Sequence, residues 1–232
     1  MAEIRDGKLI FKVATYNIAA EGYCLDKPWV IGEDIAETGA DIVGIQEVDM
    51  FARRSGEKDM IAEIAADAGY PYYRFIRAID HQGGQYGTAI LSKHPIKKLE
   101  LINLESTNEK RSVGRFVIDV LGEQINFFNT HLSYVEDELL SHIDQVAKIL
   151  DGYESYIITA DFNTCNFKLL EAFHGHRMAN NAEHELYSFY PTKAGIDNII
   201  MTEDFDYSDP YLGTAEHSDH CMLVATITKD LK

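Results

Sequence analysis

The chain contains no apolar run long enough to span a bilayer. Its N-terminus, Met1-Ala2-Glu3-Ile4-Arg5-Asp6-Gly7, lacks the apolar core of a secretory signal. These absences lead to the expectation of a cytoplasmic protein. Cysteine is scarce: Cys24, Cys165 and Cys221 are an odd number, far apart, with no Cys-x-x-Cys pair. That spacing suggests neither a disulfide framework nor a zinc cluster, so the three read as ordinary thiols. Cys165, two residues beyond Asn163, either borders a site or is a buried bystander. Basic residues are also few, 21 Lys and Arg against 38 Asp and Glu, for a formal net charge of −17. Long polyanions are gripped through Lys and Arg, so this balance argues against a tight nonspecific hold on DNA or RNA. Small phosphorylated ligands are less affected, and bound divalent cations would reverse the field inside a cleft.

No low-complexity tract, Pro-rich linker or short repeat divides the chain, and its 232 residues with 46% hydrophobic composition fit one α/β domain over 1–232. Leu9 to Tyr16 reads as a strand, Pro28 to Thr38 as a helix and Ala40 to Gln46 as a buried strand ending at Glu47. A helix is expected over Glu57 to Ala68, closed by Gly69. Short strands follow at Tyr72–Ile79, Gly87–Ser92, Lys97–Leu104, Gly114–Leu121 and Gln124–Thr130, separated by turn signals. The spacing then predicts a helix over Glu136–Leu150, a strand over Ser155–Ala160, a short helix over Lys168–Phe173 and strands at Ile196–Met201 and Met222–Ile227. Seven or more strands with helices between them indicate two packed sheets with helices outside. The stretch from His174 to Gly195 has little periodicity and is a candidate substrate loop.

Polar residues recur where apolar runs end, which is where an open sheet builds its site. Glu47 closes the run Asp41-Ile42-Val43-Gly44-Ile45-Gln46, and a carboxylate at a buried strand end is costly unless paired or bound to a cation. Asn17 is a turn residue or, beside Glu47, an amide oxygen suited to a hard ion. His131 emerges from Phe127-Phe128-Asn129-Thr130 as a structural or a catalytic imidazole. In Asp161-Phe162-Asn163, extended alternation would place a carboxylate and an amide on one side, where they could orient water and a phosphate oxygen; Asp-x-Asn also forms turns. Asp219 and His220 are neighbours that face opposite ways, and Asp197 could accept the ring proton of His220. Metal-assisted attack of water on a phosphate ester needs such a set.

The stretches Thr15-Tyr16-Asn17-Ile18, Gly44-Ile45-Gln46-Glu47-Val48, Tyr86-Gly87-Thr88-Ala89-Ile90-Leu91-Ser92, Asn129-Thr130-His131-Leu132, Asp161-Phe162-Asn163, Ile196-Asp197 and Ser218-Asp219-His220 together resemble the endonuclease/exonuclease/phosphatase superfamily. The resemblance implies a four-layer α/β sandwich of two packed mixed sheets flanked by helices. It implies Glu47 as the main Mg²⁺ or Mn²⁺ ligand, supported by Asn17 and Asp219. It further implies Asp161 aligning or deprotonating water, and Asn163 steadying that water or a phosphate oxygen. His220, oriented by Asp197, would face the phosphate, with His131 near the leaving oxygen and Arg111 as a phosphate contact. Relatives commonly have Gly where Ala160 stands, and many have an acid where this chain has Gln85; if that position orients His131, an amide supports the imidazolium less well. The Trp-Cys-Asp-Arg motif of inositol polyphosphate phosphatases and the basic arms of DNA repair enzymes are absent. The expected activity is a divalent-metal phosphoesterase on a small or lipid-derived phosphorylated substrate. A nuclease is the alternative, and a non-catalytic binding module is a third reading.

Overall fold

The fold is that of a computed structural model, described for residues 1–20, 22, 26–175, 177–214 and 216–231. Cys24 lies outside the described residues. After a three-residue strand β1 (Glu3–Arg5), strand β2 (Lys8–Asn17) shows how both faces are covered. Leu9, Phe11 and Val13 pack into a core shared by the two sheets, whereas Ala14 and Tyr16 pack toward helices. Alternate residues point to opposite faces of a strand, so this chain segment is apolar on both sides because both are buried.

The remaining elements are α1 (Pro28–Thr38), β3 (Ile42–Met50), α2 (Met60–Ala68), β4 (Tyr72–His81), β5 (Gly84–Ser92), β6 (Ile96–Asn103), β7 (Ser112–Val120), β8 (Glu123–His131), α3 (Glu136–Leu150), β9 (Ile157–Asp161), α4 (Phe167–Leu170), β10 (Arg177–Met178), β11 (Asp197–Met201), β12 (Phe205–Leu212) and β13 (Leu223–Asp230). One sheet runs β12-β13-β2-β3-β5-β4, with β1 beside β2; the other runs β10-β11-β9-β8-β7-β6. Each is mixed, its parallel pair being β2–β3 in the first and β8–β9 in the second. The α1 and α2 side chains Ile31, Ile35, Met60, Ile61 and Ile64 cover the outer face of the first sheet. Leu139, Ile143, Val146 and Leu150 of α3 cover that of the second. Between the sheets lie Phe11, Ile90, Phe116, Phe127 and Ile199. The result is the expected four-layer sandwich. Truncating one of these fully buried rings, Phe127→Ala for example, would cost about 3–5 kcal/mol.

A polar seam crosses the apolar core beneath one end of the sheets. Gln46 Nε2 donates to Asn129 Oδ1 (2.8 Å), and Asn129 Nδ2 donates to the carbonyls of Ile45 (3.0 Å) and Ala89 (2.8 Å). Thr159 Oγ1 donates to the same Asn129 oxygen at 3.1 Å. Gly44 makes room for it: a Cβ there would sit 2.0 Å from Thr159 Oγ1 and 2.7 Å from Asn129 Oδ1.

Several boundaries differ from the sequence reading for local reasons. Strand β3 does not stop at Glu47 but runs to Met50, because a bulge between Ile45 and Val48 absorbs the polar residues. Helix α2 begins at Met60, since Glu57 has φ 55° and Asp59 caps the helix by accepting from Ala62 N at 3.1 Å. Strand β12 lies outside the strands expected from the sequence because Ser208-Asp209-Pro210 interrupts its alternation; it is an edge strand with a bulge between Ser208 and Tyr211, where proline is tolerated. Among the described residues no helix is long and apolar enough to cross a membrane.

Candidate active site

The two parallel pairs end at the same rim of the sandwich. Each is a strand–helix–strand unit, β2–α1–β3 and β8–α3–β9, so the C-terminal ends of its strands emerge side by side. The first unit delivers Asn17 and Glu47, and the second delivers His131 and Asp161. Register aligns the rest: His131 pairs with Asp161 across β8–β9, and Asp161 pairs with Asp197 across β9–β11. Three site residues therefore stand in a row because of the hydrogen-bond ladder. Glu47 enters differently. It occupies the β3 bulge with φ 61°, a left-handed conformation that costs a non-glycine residue of order 1–3 kcal/mol and re-aims its side chain.

Asn17 joins the two halves. Its Nδ2 donates to Glu47 Oε1 (3.1 Å) and to Asp161 Oδ2 (2.9 Å), while its Oδ1 accepts from Ala19 N. Asp161 Oδ2 lies 3.4 Å from His131 Nε2 and 3.7 Å from His220 Nε2. His220 Nδ1 is 2.8 Å from Asp197 Oδ2, and its Nε2 is 3.9 Å from Asp219 Oδ1. Asp161-Phe162-Asn163 is not the extended segment that alternation suggested. The strand stops at Asp161, Asn163 turns left-handed at φ 53°, and Asn163 N donates to Asp161 Oδ1 at 2.8 Å. Asparagine tolerates that conformation, and the turn still swings its amide over to the Leu132 carbonyl (2.9 Å) and to within 3.0 Å of His131 Nε2. All the site residues named from the sequence thus converge, Arg111 included.

Charge is distributed unevenly among them. Burial acts against a charged His220 ring, but the Asp197 carboxylate, with Asp161 and Asp219 behind it, outweighs burial and raises the imidazolium to about 10. Burial and repulsion from Asp197 push Asp161 up, and burial pushes Glu47 up. The two histidines differ in kind. Burial and the neighbouring Arg111 hold His131 well below the usual histidine range. Arg111 Nη1 stands 3.1 Å from His131 Nδ1 and Asn163 Nδ2 3.0 Å from Nε2, so donor-only groups face both ring nitrogens, a setting that opposes a second ring proton and keeps the imidazole neutral. Gln85 pairs across its two neighbouring strands with Met50 and Asp80, and it is Arg111 that meets His131 Nδ1.

Arg111 is itself almost wholly buried and is held by Glu109 Oε1 at 2.8 Å and by the Tyr86 hydroxyl. Tyr86 was not singled out for the site; burial raises its hydroxyl well above the ordinary range, and its place in Tyr86-Gly87 was the only sequence signal. The 174–195 stretch packs more closely than its lack of periodicity indicated. Phe189 lies against His220 with ring centroids 4.8 Å apart, Ser188 Oγ accepts from Asp197 N, and Tyr190 N donates to Asp219 O. Cys165 is exposed.

Several groups have the chemistry to hold a cation. Asp161, Asp197 and His220 each bring one ligand atom within 4.8 Å of the others. Asp219 Oδ1 and Asp197 Oδ1 are buried oxygens with no hydrogen-bond partner, which is costly for carboxylates without a positive neighbour. Glu47, held by Asn17, sits in the field of Asp219.

The sequence matches the profile of the Endonuclease/Exonuclease/phosphatase family over residues 14–220. The chain belongs to the endonuclease/exonuclease/phosphatase family. Its fold is shared with an endonuclease/exonuclease/phosphatase from Beutenbergia cavernae at a TM-score of 0.78 and 18% identity, covering 95% of this chain and 72% of that one. A family protein from Bacteroides thetaiotaomicron aligns at a TM-score of 0.73 and 18% identity, over 97% of this chain and 99% of that one. A mannosyl-6-phosphatase from the same species aligns at 0.67 and 17% identity, over 94% and 99%. No curated protein matches. These neighbours share the fold, and family members include hydrolases of phosphate esters, for which divalent metals are general.

Proposed function

We propose that this family member is a divalent-metal-dependent phosphoesterase that hydrolyses a small or lipid-derived phosphorylated substrate by activated water. The observation that carries this reading is the row His131–Asp161–Asp197 facing Glu47 across the rim, with orphaned carboxylate oxygens on Asp197 and Asp219. In this reading Glu47 and Asp219 would hold Mg²⁺ or Mn²⁺, with Asn17 beside them fixing Glu47 through its amide nitrogen. When bound, the cation supplies Lewis-acid polarisation of the phosphoryl oxygen and neutralises charge in the transition state. The Asp161–Asp197–His220 trio is better suited to proton handling, because the 2.8 Å contact to His220 already occupies one Asp197 oxygen.

Each residue then has a distinct task. Asp161, whose burial raises its proton affinity, orients water and takes its proton at Oδ2. Asn163, braced on the Leu132 carbonyl, limits where that water can lie. His220, charged and fixed by Asp197, faces the developing negative charge, where a preorganised donor contributes about 3–4 kcal/mol. Neutral His131 stands near the leaving oxygen without delivering a proton as an imidazolium, and Arg111 binds phosphate oxygen. The surplus of acidic residues supports a small substrate over a polynucleotide.

Hydrolysis of p-nitrophenyl phosphate and bis(p-nitrophenyl) phosphate with Mg²⁺, Mn²⁺ or chelator, beside Asp161→Ala, tests the proposal. Metal-dependent turnover lost in the variant is the expected result, and the preferred reagent separates monoesterase from diesterase. Turnover that persists in chelator or in Asp161→Ala would overturn it. Salt-sensitive cleavage of DNA or RNA at much higher efficiency would favour the nuclease.

A further inference from the structure

Resting on the phosphoesterase reading, in which Arg111 binds phosphate oxygen, we infer that Glu138 and His142 of α3 are positioning residues. They tie the loop that leads into Arg111 to the segment that follows His131, and so set where the guanidinium meets the phosphate. Both act through other residues and not on the substrate.

Helix α3 covers the second sheet with Leu139, Ile143, Val146 and Leu150, and beside that apolar stripe it carries a polar one at Glu138, His142 and Gln145. Positions three and four apart share one side of a helix, and each of the three side chains holds a successive piece of the 104–111 loop. Gln145 accepts from Glu105 N at 2.7 Å and donates to Glu105 O at 3.2 Å. His142 Nε2 lies 3.0 Å from Ser106 Oγ. Glu138 accepts from Thr107 N, from Thr107 Oγ1 at 3.1 Å and from Asn108 N at 2.9 Å. The loop forms neither strand nor helix, so its path follows the helix beside it. Covering a sheet needs only apolar side chains, and burying a carboxylate and an imidazole is costly unless both are fully bonded. A satisfied buried network fixes one geometry, which is what a phosphate-binding arm requires.

The two buried members also face the catalytic strand end. Ser133 N donates to His142 Nδ1 at 3.3 Å, and the Ser133 hydroxyl bonds Glu138. Ser133 directly follows Leu132, whose carbonyl braces Asn163, and stands two residues after His131. Burial opposes the charge on Glu138, but the donors from Asn108, Ser133 and Thr107 outweigh it and hold the carboxyl at about 2, so Glu138 accepts at any working pH. Burial lowers His142 from the ordinary histidine value. With Nδ1 accepting from Ser133 N, the neutral ring carries its proton at Nε2, toward Ser106 Oγ. That oxygen also accepts from Arg111 N at 3.2 Å and donates to Leu104 O at 3.4 Å, which uses its whole bonding capacity. Leu104 N donates to Arg111 O at 2.9 Å. Both backbone groups of Arg111 are thus held, and its guanidinium is 3.1 Å from His131 Nδ1 and 2.8 Å from Glu109 Oε1. Misplacing such a group by about 1 Å costs up to about 10²-fold.

Titration calorimetry of inorganic phosphate into the full chain with Mg²⁺ tests this with two half-replacements of the ring. His142→Gln keeps a donor where Nε2 stands, and His142→Asn keeps an acceptor where Nδ1 stands. His142→Asn is expected to weaken phosphate at least about fivefold and His142→Gln less than about twofold. The affinity that remains in Arg111→Ala, carried by Mg²⁺, should be indifferent to either change, because coupled residues are not additive. Ser106→Ala, a half-buried loop change that spares the core, should reproduce the His142→Asn loss and not add to it. If His142→Asn does not fold, Ser106→Ala alone and with Arg111→Ala decides by the same criterion. Unchanged affinity in these variants, a loss that persists in Arg111→Ala, a glutamine no better than the asparagine, or no phosphate binding by wild type would overturn the inference. Wild-type turnover of p-nitrophenyl phosphate reports separately on the catalytic reading. Coupled phosphate binding without turnover fails that reading and leaves the positioning role standing; turnover without coupling does the reverse.

Discussion

His217 Nδ1 lies 3.0 Å from both carboxylate oxygens of Asp34. Asp34 is a buried acid of α1 that also accepts from the Tyr16 hydroxyl at 3.2 Å. One residue later, Ser218 Oγ donates to the Asn17 carbonyl at 2.7 Å. The segment that carries Asp219 and His220 is therefore pinned at two points to the β2–α1 unit, the unit that supplies Asn17. A clasp of this kind fixes Asp219 relative to Glu47 without touching substrate.

Asp34→Asn keeps the shape and removes the charge of that clasp. Burial raises Asp34 in spite of its His217 contact, so removing the charge should cost no more than about 0.5–1.5 kcal/mol, the range for an ordinary hydrogen bond. The more telling readout is the Mg²⁺ concentration at half-maximal activity, which should rise several-fold as Asp219 loses its fixed position. A lower melting temperature with an unchanged metal titration would reduce the clasp to a packing feature.

Gly44→Ala should be among the most destabilising single methyl additions in the chain. The new Cβ would meet Thr159 Oγ1 and Asn129 Oδ1 far inside contact distance, and both atoms belong to the seam that joins the sheets. Overpacking of this kind costs about 1–3 kcal/mol, and breaking buried hydrogen bonds adds to it. Urea unfolding measures the loss; a midpoint within error of wild type would mean that the sheets can separate freely there.

Much of this architecture was legible because period and position agree. Pro28–Thr38 and Glu136–Leu150 appear at the expected bounds, since their apolar stripes meet a sheet over their whole length. Most of the site residues were visible because they stand where an apolar run ends or begins, a one-dimensional signal that survives folding, whereas Arg111 was named through the family resemblance. What one dimension does not carry is register and backbone hand. Nothing local reveals that Glu47 lies in a bulge, that Asn163 turns left-handed, or that Arg111, just before β7, meets His131 on the neighbouring β8. The clasp between Asp34 and His217 spans 183 positions and leaves no periodic trace.

Asp197→Asn should change how stability depends on pH. In the native protein His220 is raised from 6.5 to about 10, chiefly by Asp197 against the opposing effect of burial. A base with a raised folded-state pKa contributes stability that is fully present below the unfolded value and is lost as pH rises through the folded value. Metal-free wild type should therefore lose stability progressively between pH 6.5 and about 10. The asparagine variant should be less stable at pH 6 and nearly level across that window. Denaturant midpoints at pH 6, 8 and 10 check this; parallel curves for the two proteins would show that Asp197 does not govern the charge on His220.

Glu47→Gln makes the opposite argument for the carboxylate side. Burial raises Glu47, so an ionised Glu47 destabilises the metal-free fold once pH exceeds the unfolded value of 4.5, and the loss grows until the folded value is passed. A divalent cation beside the carboxylate reverses that sign by favouring the ionised form. In chelator at pH 8, Glu47→Gln is therefore expected to melt at or above wild type, although it removes a residue of the reaction centre. With Mg²⁺ the order should invert, because ligand binding to the native state stabilises wild type and the amide binds the ion poorly. Activity should fall at least a hundredfold at fixed Mg²⁺, consistent with the loss of several kcal/mol of charge stabilisation. Melting curves of both proteins with and without the ion are sufficient: a Mg²⁺-induced rise of equal size in the two would remove Glu47 from the metal site and leave the Asp161, Asp197 and His220 cluster as the place where the cation binds.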